Sequence, residues 1–162
     1  MQSADQYASQ YLFSDGGLIY ISFGSGLTSE MMSWWEDVLA ATDALIEPEF
    51  VVVPENHAKS QIVLNQTSSS SLSDDAAGMY QTPSFTWSEL TDGSDYNFQR
   101  VDQQGEITLA ESAFSHASRY AGSREAGWKS TAFHELGHAL GREHPHAGSD
   151  GDAAYVMDTN GT

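Results

Sequence analysis

The chain contains no cysteine, so disulfide bonds are excluded as a source of its stability. Lysine is nearly absent. Lys59 and Lys129 are the only two, and 6 basic residues face 23 acidic ones for a formal net charge of -17. Such a surface repels phosphate backbones and anionic lipid, which argues against nucleic-acid and membrane partners. It would attract basic peptides and divalent cations, although solubility in a salty or extracellular setting accounts for the same charge more simply. No apolar run approaches the roughly 20 residues that cross a bilayer. Met1 to Ser9 lack the basic start and apolar block of a signal peptide. What remains is a chain of 162 residues with ordinary apolar and aromatic content, enough for one domain with a sizeable core.

Hydrophobic patterning divides that chain into strands and helices. Leu18-Ile19-Tyr20-Ile21-Ser22-Phe23 is β-branched and aromatic and lies between Gly16-Gly17 and Gly24-Ser25-Gly26, which predicts a strand between turns. Thr28 is placed to cap a helix, with Glu30 in a first turn where the helix dipole favours an anion. Met31, Trp34, Trp35, Val38 and Leu39 then recur as one wide apolar stripe, and stripes of this spacing usually face a core rather than a ligand. Pro48 closes the segment; Phe50-Val51-Val52-Val53 and Gln61-Ile62-Val63-Leu64 are the next strand candidates. From Gln66 to Ala77 the polar, serine-rich sequence predicts a surface loop without chemistry of its own. Phe85 to Val101, with Trp87, Tyr96 and Phe98 among polar residues, is read as an insertion or hairpin. A last helix is expected from about Ser123-Arg124-Glu125 to Leu140, burying Trp128, Phe133, Leu136 and Leu140.

That last helix carries the informative string, HELGHALGREH from His134 to His144. His134 and His138 are just over one helical turn apart, so their imidazoles share a face and can reach one metal ion. Glu135 hangs over the same edge. Gly141 permits the left-handed conformation that ends a helix and turns the chain, and the turn brings His144 back as a third ligand. Three neutral imidazoles leave one position of a tetrahedral zinc open, as a catalytic zinc requires and a structural one does not. The other histidines offer less: His146 follows a ligand already supplied, and His57 and His116 lack partner spacing. Asp92, Asp95, Asp150 and Asp152 lie in Asp-Gly loops that either bind calcium or are plain turns.

The string resembles HExxHxxGxxH, the long zinc signature of the metzincin metallopeptidases. Pro145, directly after the third histidine, is similar to the serralysin branch, and HELGHALG is equally similar to the matrix metalloproteinases. The resemblance implies an α/β (α+β), zincin-like fold: a twisted, mixed five-stranded sheet with an active-site helix and a backing helix, one catalytic domain over residues 1–162. It implies a secreted, zinc-dependent endopeptidase that hydrolyses internal peptide bonds of extended polypeptides through a zinc-activated water. His134, His138 and His144 are then the Zn2+ ligands. Glu135 is the catalytic base, taking the water proton and returning it to the departing amine. Met157, in Tyr155-Val156-Met157-Asp158, stands where the family's methionine turn passes beneath the zinc. Gly78, Met79, Tyr80 and Gln81 stand where the family has its edge strand, along which substrate lies antiparallel. The residues themselves leave open whether that strand is an exposed edge or is buried. Glu106-Ile107-Thr108-Leu109, after a turn at Gln103-Gln104-Gly105, looks like the strand preceding the active-site helix. Ca2+ is a second candidate cofactor. Serralysin-like export uses C-terminal signals, so a missing signal peptide does not conflict with secretion.

Two positions depart from the family. Thr159 stands where serralysins often carry a tyrosine, two residues after the turn methionine, and the tyrosine's role is not carried over. Metzincins also continue past the methionine turn into a segment that walls the primed-side pocket and then a helix, whereas this sequence reaches only Thr162. The pocket wall is then either minimal or supplied by a C-terminal extension. These departures make the runner-up a catalytically weak or inactive zinc-binding domain that docks peptides or a protein partner. The intact Glu135 favours the enzyme, since a pure binder needs no base there.

Overall fold

A computed structural model of the chain describes residues 17–73, 76–82, 84–89, 96–116 and 123–141. In chain order the elements are β1 (Leu18–Phe23), α1 (Ser29–Asp43), β2 (Glu49–Val53), β3 (Ile62–Gln66), β4 (Gly78–Gln81), β5 (Ser84–Glu89), β6 (Tyr96–Gln103), β7 (Gly105–Leu109), α2 (Ala113–His116) and α3 (Arg124–Ala139). Five strands form one mixed sheet of order β2-β1-β3-β7-β4. β1 runs parallel to β2 and β3, and β3 runs parallel to β7. β4 alone is antiparallel, paired to β7 and standing at the sheet's edge. The expected five-stranded mixed sheet is therefore present, with the two long helices α1 and α3.

The span read as an insertion or hairpin is a two-stranded antiparallel ribbon, β5 with β6. Ser84 pairs with Gln103 and Gln81 with Glu106, three residues further along each strand, so the ribbon prolongs the β4–β7 pair. The expected turn at Gln103-Gln104-Gly105 is not formed, and one residue outside the ladders, Gln104, separates two strands. Gln103 belongs to β6 and Gly105 to β7, because both are drawn into ladders with distant partners.

Buried and half-buried residues alternate along β3 and β7, sending Ile62, Leu64, Ile107 and Leu109 to one face. There they join Ile19 and Ile21 of β1 and meet Trp35, Val38 and Leu39 of α1 and Trp128, Ala132 and Leu136 of α3. Burying each large side chain of that set contributes roughly 1.5–3 kcal/mol. α1 begins as its sequence predicts: Thr28 Oγ1 accepts the Met31 N–H at 3.2 Å, with Glu30 in the first turn.

Gln66 corrects the expected loop boundary. It is the last residue of β3 and is buried, and its Oε1 accepts the Trp128 indole N–H at 2.9 Å. A polar residue can end an inward-facing row when a partner satisfies it, and that partner lies 62 residues away in sequence. The polar stretch after it is tied to the sheet. Thr67 N–H donates to Leu109 C=O, and the N–H groups of Glu111 and Ser112 donate to Ser69 and Ser70.

Two kinds of contact join α3 to α1. The Trp128 ring lies 5.5 Å from Trp34 and 5.3 Å from Trp35, centroid to centroid, the second pair edge-to-face. At the rim, Lys129 Nζ donates to Asp37 Oδ2 at 2.7 Å across the helices and to Glu125 Oε1 at 2.6 Å one turn back. The hydrogen bond to Asp37, then that to Glu125, raises the Lys129 pKa above the ordinary lysine value. Its folded value exceeds its unfolded one, so this contribution is complete below the ordinary value of 10.5 and is lost as pH rises through the raised value. Both carboxylates are exposed, and the interaction is correspondingly small. Lys129→Met is expected to lower stability at neutral pH by about 1 kcal/mol or less, with the deficit vanishing in strongly alkaline solution. Urea unfolding at both pH values reads it. No helix among the described residues is long and apolar enough to cross a membrane.

Candidate metal centre and active site

α3 presents the signature residues, and both its ends are set locally. Ser123 Oγ accepts the Ala126 N–H at 3.1 Å and caps the start, with Glu125 in the first turn. At the other end the N–H groups of Leu140 and Gly141 return to Leu136 O at 3.0 Å and His138 O at 2.9 Å. Gly141 has φ +85°, the left-handed closure expected of it, a conformation that a side chain would strain. The helix thus ends at Ala139, one residue past His138, with Leu140 as its cap.

His134 and His138 come together on this helix as their spacing predicts. Their Nε2 atoms are 3.0 Å apart, with ring centroids at 4.7 Å and planes at 85°. Two imidazoles at ordinary zinc–nitrogen distances in a tetrahedral set have their nitrogens about 3.3 Å apart. The observed pair is thus close to what one ion needs, and both nitrogens are the outer ones of their rings. Neutral imidazole nitrogen is also a preferred donor to Zn2+. These two residues fit the metal. Among the described residues no group of three histidines, cysteines or carboxylates is assembled. The third expected ligand, His144, lies outside the described residues, as do His146, Met157 and the calcium candidates Asp92, Asp95, Asp150 and Asp152.

Glu135, between the two histidines in sequence, is buried at 6 % exposure. It lies against β4, and the close neighbour is Gly78. A methyl group built on the Gly78 α-carbon would stand 2.7 Å from Glu135 Cγ and 2.9 Å from its Oε1. β4 is the strand expected along the cleft, and among the described residues it stands at the sheet edge. Its backbone orientation follows from the ladder. Ala110 N–H donates to Ala77 C=O, so residues 77, 79 and 81 turn their peptide groups toward β7. Gly78 and Tyr80 turn theirs away from β7, and Met79 has its side chain exposed.

Patterning did not single out Thr131. It is buried one turn before Glu135, its hydroxyl donates to Gly127 O at 3.2 Å, and its methyl faces Gly78. The available signal was the glycine in a strand, which often marks a close approach by another element. His57 is ordinary, as expected: it is exposed, and its Nδ1 accepts the Lys59 N–H.

A separate concavity of about 550 Å³ lies where β1, β3 and β7 end, lined in part by Ser25, Asn65, Gln66, Thr67 and Glu111. Several of its polar groups are engaged with the protein. Asn65 Oδ1 accepts from Ser25 N–H, Gln66 Oε1 from Trp128, and Thr67 Oγ1 bonds Ser69 Oγ. Its lining shares no residue with the histidine face of α3. No known protein-family model, curated protein or solved structure matches this chain.

Proposed function

We propose that the chain is a zinc-dependent endopeptidase of the metzincin type, acting on extended stretches of polypeptide. One observation carries this reading: the Nε2 atoms of His134 and His138 stand 3.0 Å apart on one helix, next to a buried Glu135 and a sheet edge. His134 and His138, with His144 as third ligand, would hold the ion. Bound zinc supplies Lewis acidity, making water more acidic and a carbonyl more electrophilic.

The chain's own residues supply the rest. Substrate adds to β4 as a further antiparallel strand, using the peptide groups that Gly78 directs away from β7. This holds the scissile bond beside α3 in one extended conformation. Glu135 takes a proton from the attacking water and delivers it to the nitrogen of the departing amine. Its position between two ligands on a rigid helix keeps it near the reacting atoms without requiring it to bind the ion. A strongly negative surface favours basic, unfolded substrates over nucleic acid or anionic membrane, and secretion is part of the same proposal.

Casein cleavage by the chain loaded with zinc tests the reading. Activity should disappear with 1,10-phenanthroline and return on adding zinc, with one ion bound per chain. His138→Ala should weaken zinc binding by more than roughly 100-fold, beyond the loss typical of a residue that only supports a ligand. Zinc bound without cleavage would replace the enzyme by a peptide-docking domain. Failure to bind zinc at all would remove both.

A further inference from the structure

We infer, resting on the reading of Glu135 as the base, that Gly78 and Thr131 are positioning residues that fix where the Glu135 carboxylate stands. Glycine within a strand is intrinsically unfavourable, so its presence in β4 calls for a local reason. The space beside its α-carbon supplies one. A methyl group there would meet Glu135 Cγ at 2.7 Å, Glu135 Oε1 at 2.9 Å and Thr131 Cγ2 at 2.9 Å. All three contacts are shorter than carbon and oxygen atoms tolerate, and two of them are with Glu135 itself.

Thr131 is held as firmly as the glycine. Its hydroxyl donates to Gly127 O one turn back, which restricts the side chain and keeps Cγ2 toward Gly78 and Glu135. Bare backbone at Gly78 thus leaves room for both the Thr131 methyl and the Glu135 side chain. The same residue, Gly78, turns its N–H and C=O away from β7, toward the edge of the sheet formed by the described strands. One position thus brings the backbone that receives an added strand against the side chain that moves the proton. A side chain at 78 would leave those peptide groups in place and displace the carboxylate. Binding and turnover should separate on substitution.

The test is Gly78→Ala in the zinc-loaded chain, with casein-derived peptides as substrate. Displacing a reacting group by about 1 Å can cost about 100-fold in rate. The expected result is a fall in kcat of roughly 10- to 100-fold, with KM, zinc affinity and thermal midpoint close to those of the parent. Adding Thr131→Ser keeps the bond to Gly127 but removes the crowding methyl, and should restore kcat several-fold. Unchanged kcat in Gly78→Ala overturns the positioning role. So does a loss of kcat accompanied by matching losses of zinc binding and folding that Thr131→Ser does not relieve. If the parent itself cleaves nothing, the peptidase reading fails separately. Crystal structures of the parent and Gly78→Ala then decide the positioning: a carboxylate displaced by about 1 Å is expected, and an unmoved one overturns it.

Discussion

Glu135→Gln should leave zinc bound at full stoichiometry while casein cleavage falls by roughly 10²- to 10⁴-fold, the range contributed by a positioned general base. Glutamine preserves the volume and shape of the side chain, which matters because Glu135 is buried and packed against Gly78 and Thr131. Alanine there would open a void beside β4 and mix a packing loss with a chemical one. Glutamine removes only the basicity. The loss should lie in kcat with KM nearly unchanged, because the carboxylate acts on a proton in flight and not on the bound peptide. Steady-state kinetics on a defined peptide, with metal analysis of the same sample, reads both quantities. Parent-like turnover by the glutamine variant would falsify the assignment of the base. Simultaneous loss of zinc would instead make Glu135 part of the metal's own support.

The largest stability effect is expected at Trp128, two turns before Glu135 on the same helix. The side chain is fully buried, lies against both Trp34 and Trp35, and donates its indole N–H to Gln66 Oε1 at 2.9 Å. Trp128→Ala removes that ring from between α1, α3 and the sheet, at a cost of about 3–5 kcal/mol. It also leaves the buried Gln66 oxygen without its partner, adding about 1 kcal/mol or more. Against a total stability of about 5–15 kcal/mol, this is a large share. The thermal midpoint should fall by roughly 10 °C or more for a domain of this size. Trp128→Phe separates the two causes, since it keeps most of the packing and loses the hydrogen bond, and it should cost about 1–3 kcal/mol. Far-UV circular dichroism across a urea titration measures both variants. An alanine variant as stable as the parent would mean that the helix is not fastened to the core through this ring.

These two residues illustrate how unevenly the sequence spoke. The place of Glu135 beside His134 and His138 was legible because all three share one helix, and a 3.6-residue period makes their relative positions calculable. Trp128 was legible as a core residue from the apolar stripe, but its partner was not. Gln66 had the composition of a loop residue and proved to be the buried end of β3. The Lys129–Asp37 pair was equally invisible, since it joins residues 92 positions apart.

By itself the sequence determined what local interactions control. It determined the extent of α3 from the Ser123 cap to the left-handed Gly141, and the Thr28 cap and buried stripe of α1. It also determined the pairing of His134 with His138. Each depends on contacts within about one turn of backbone, where geometry is nearly fixed. Only the tertiary structure decided the sheet order β2-β1-β3-β7-β4, which leaves β4 at its edge, and the meeting of Gly78 with Glu135. Those outcomes depend on which strand fits which neighbour and on how closely a helix can approach a backbone without a side chain. Such choices are made by packing between segments far apart in the chain, and no periodicity in either segment encodes the other.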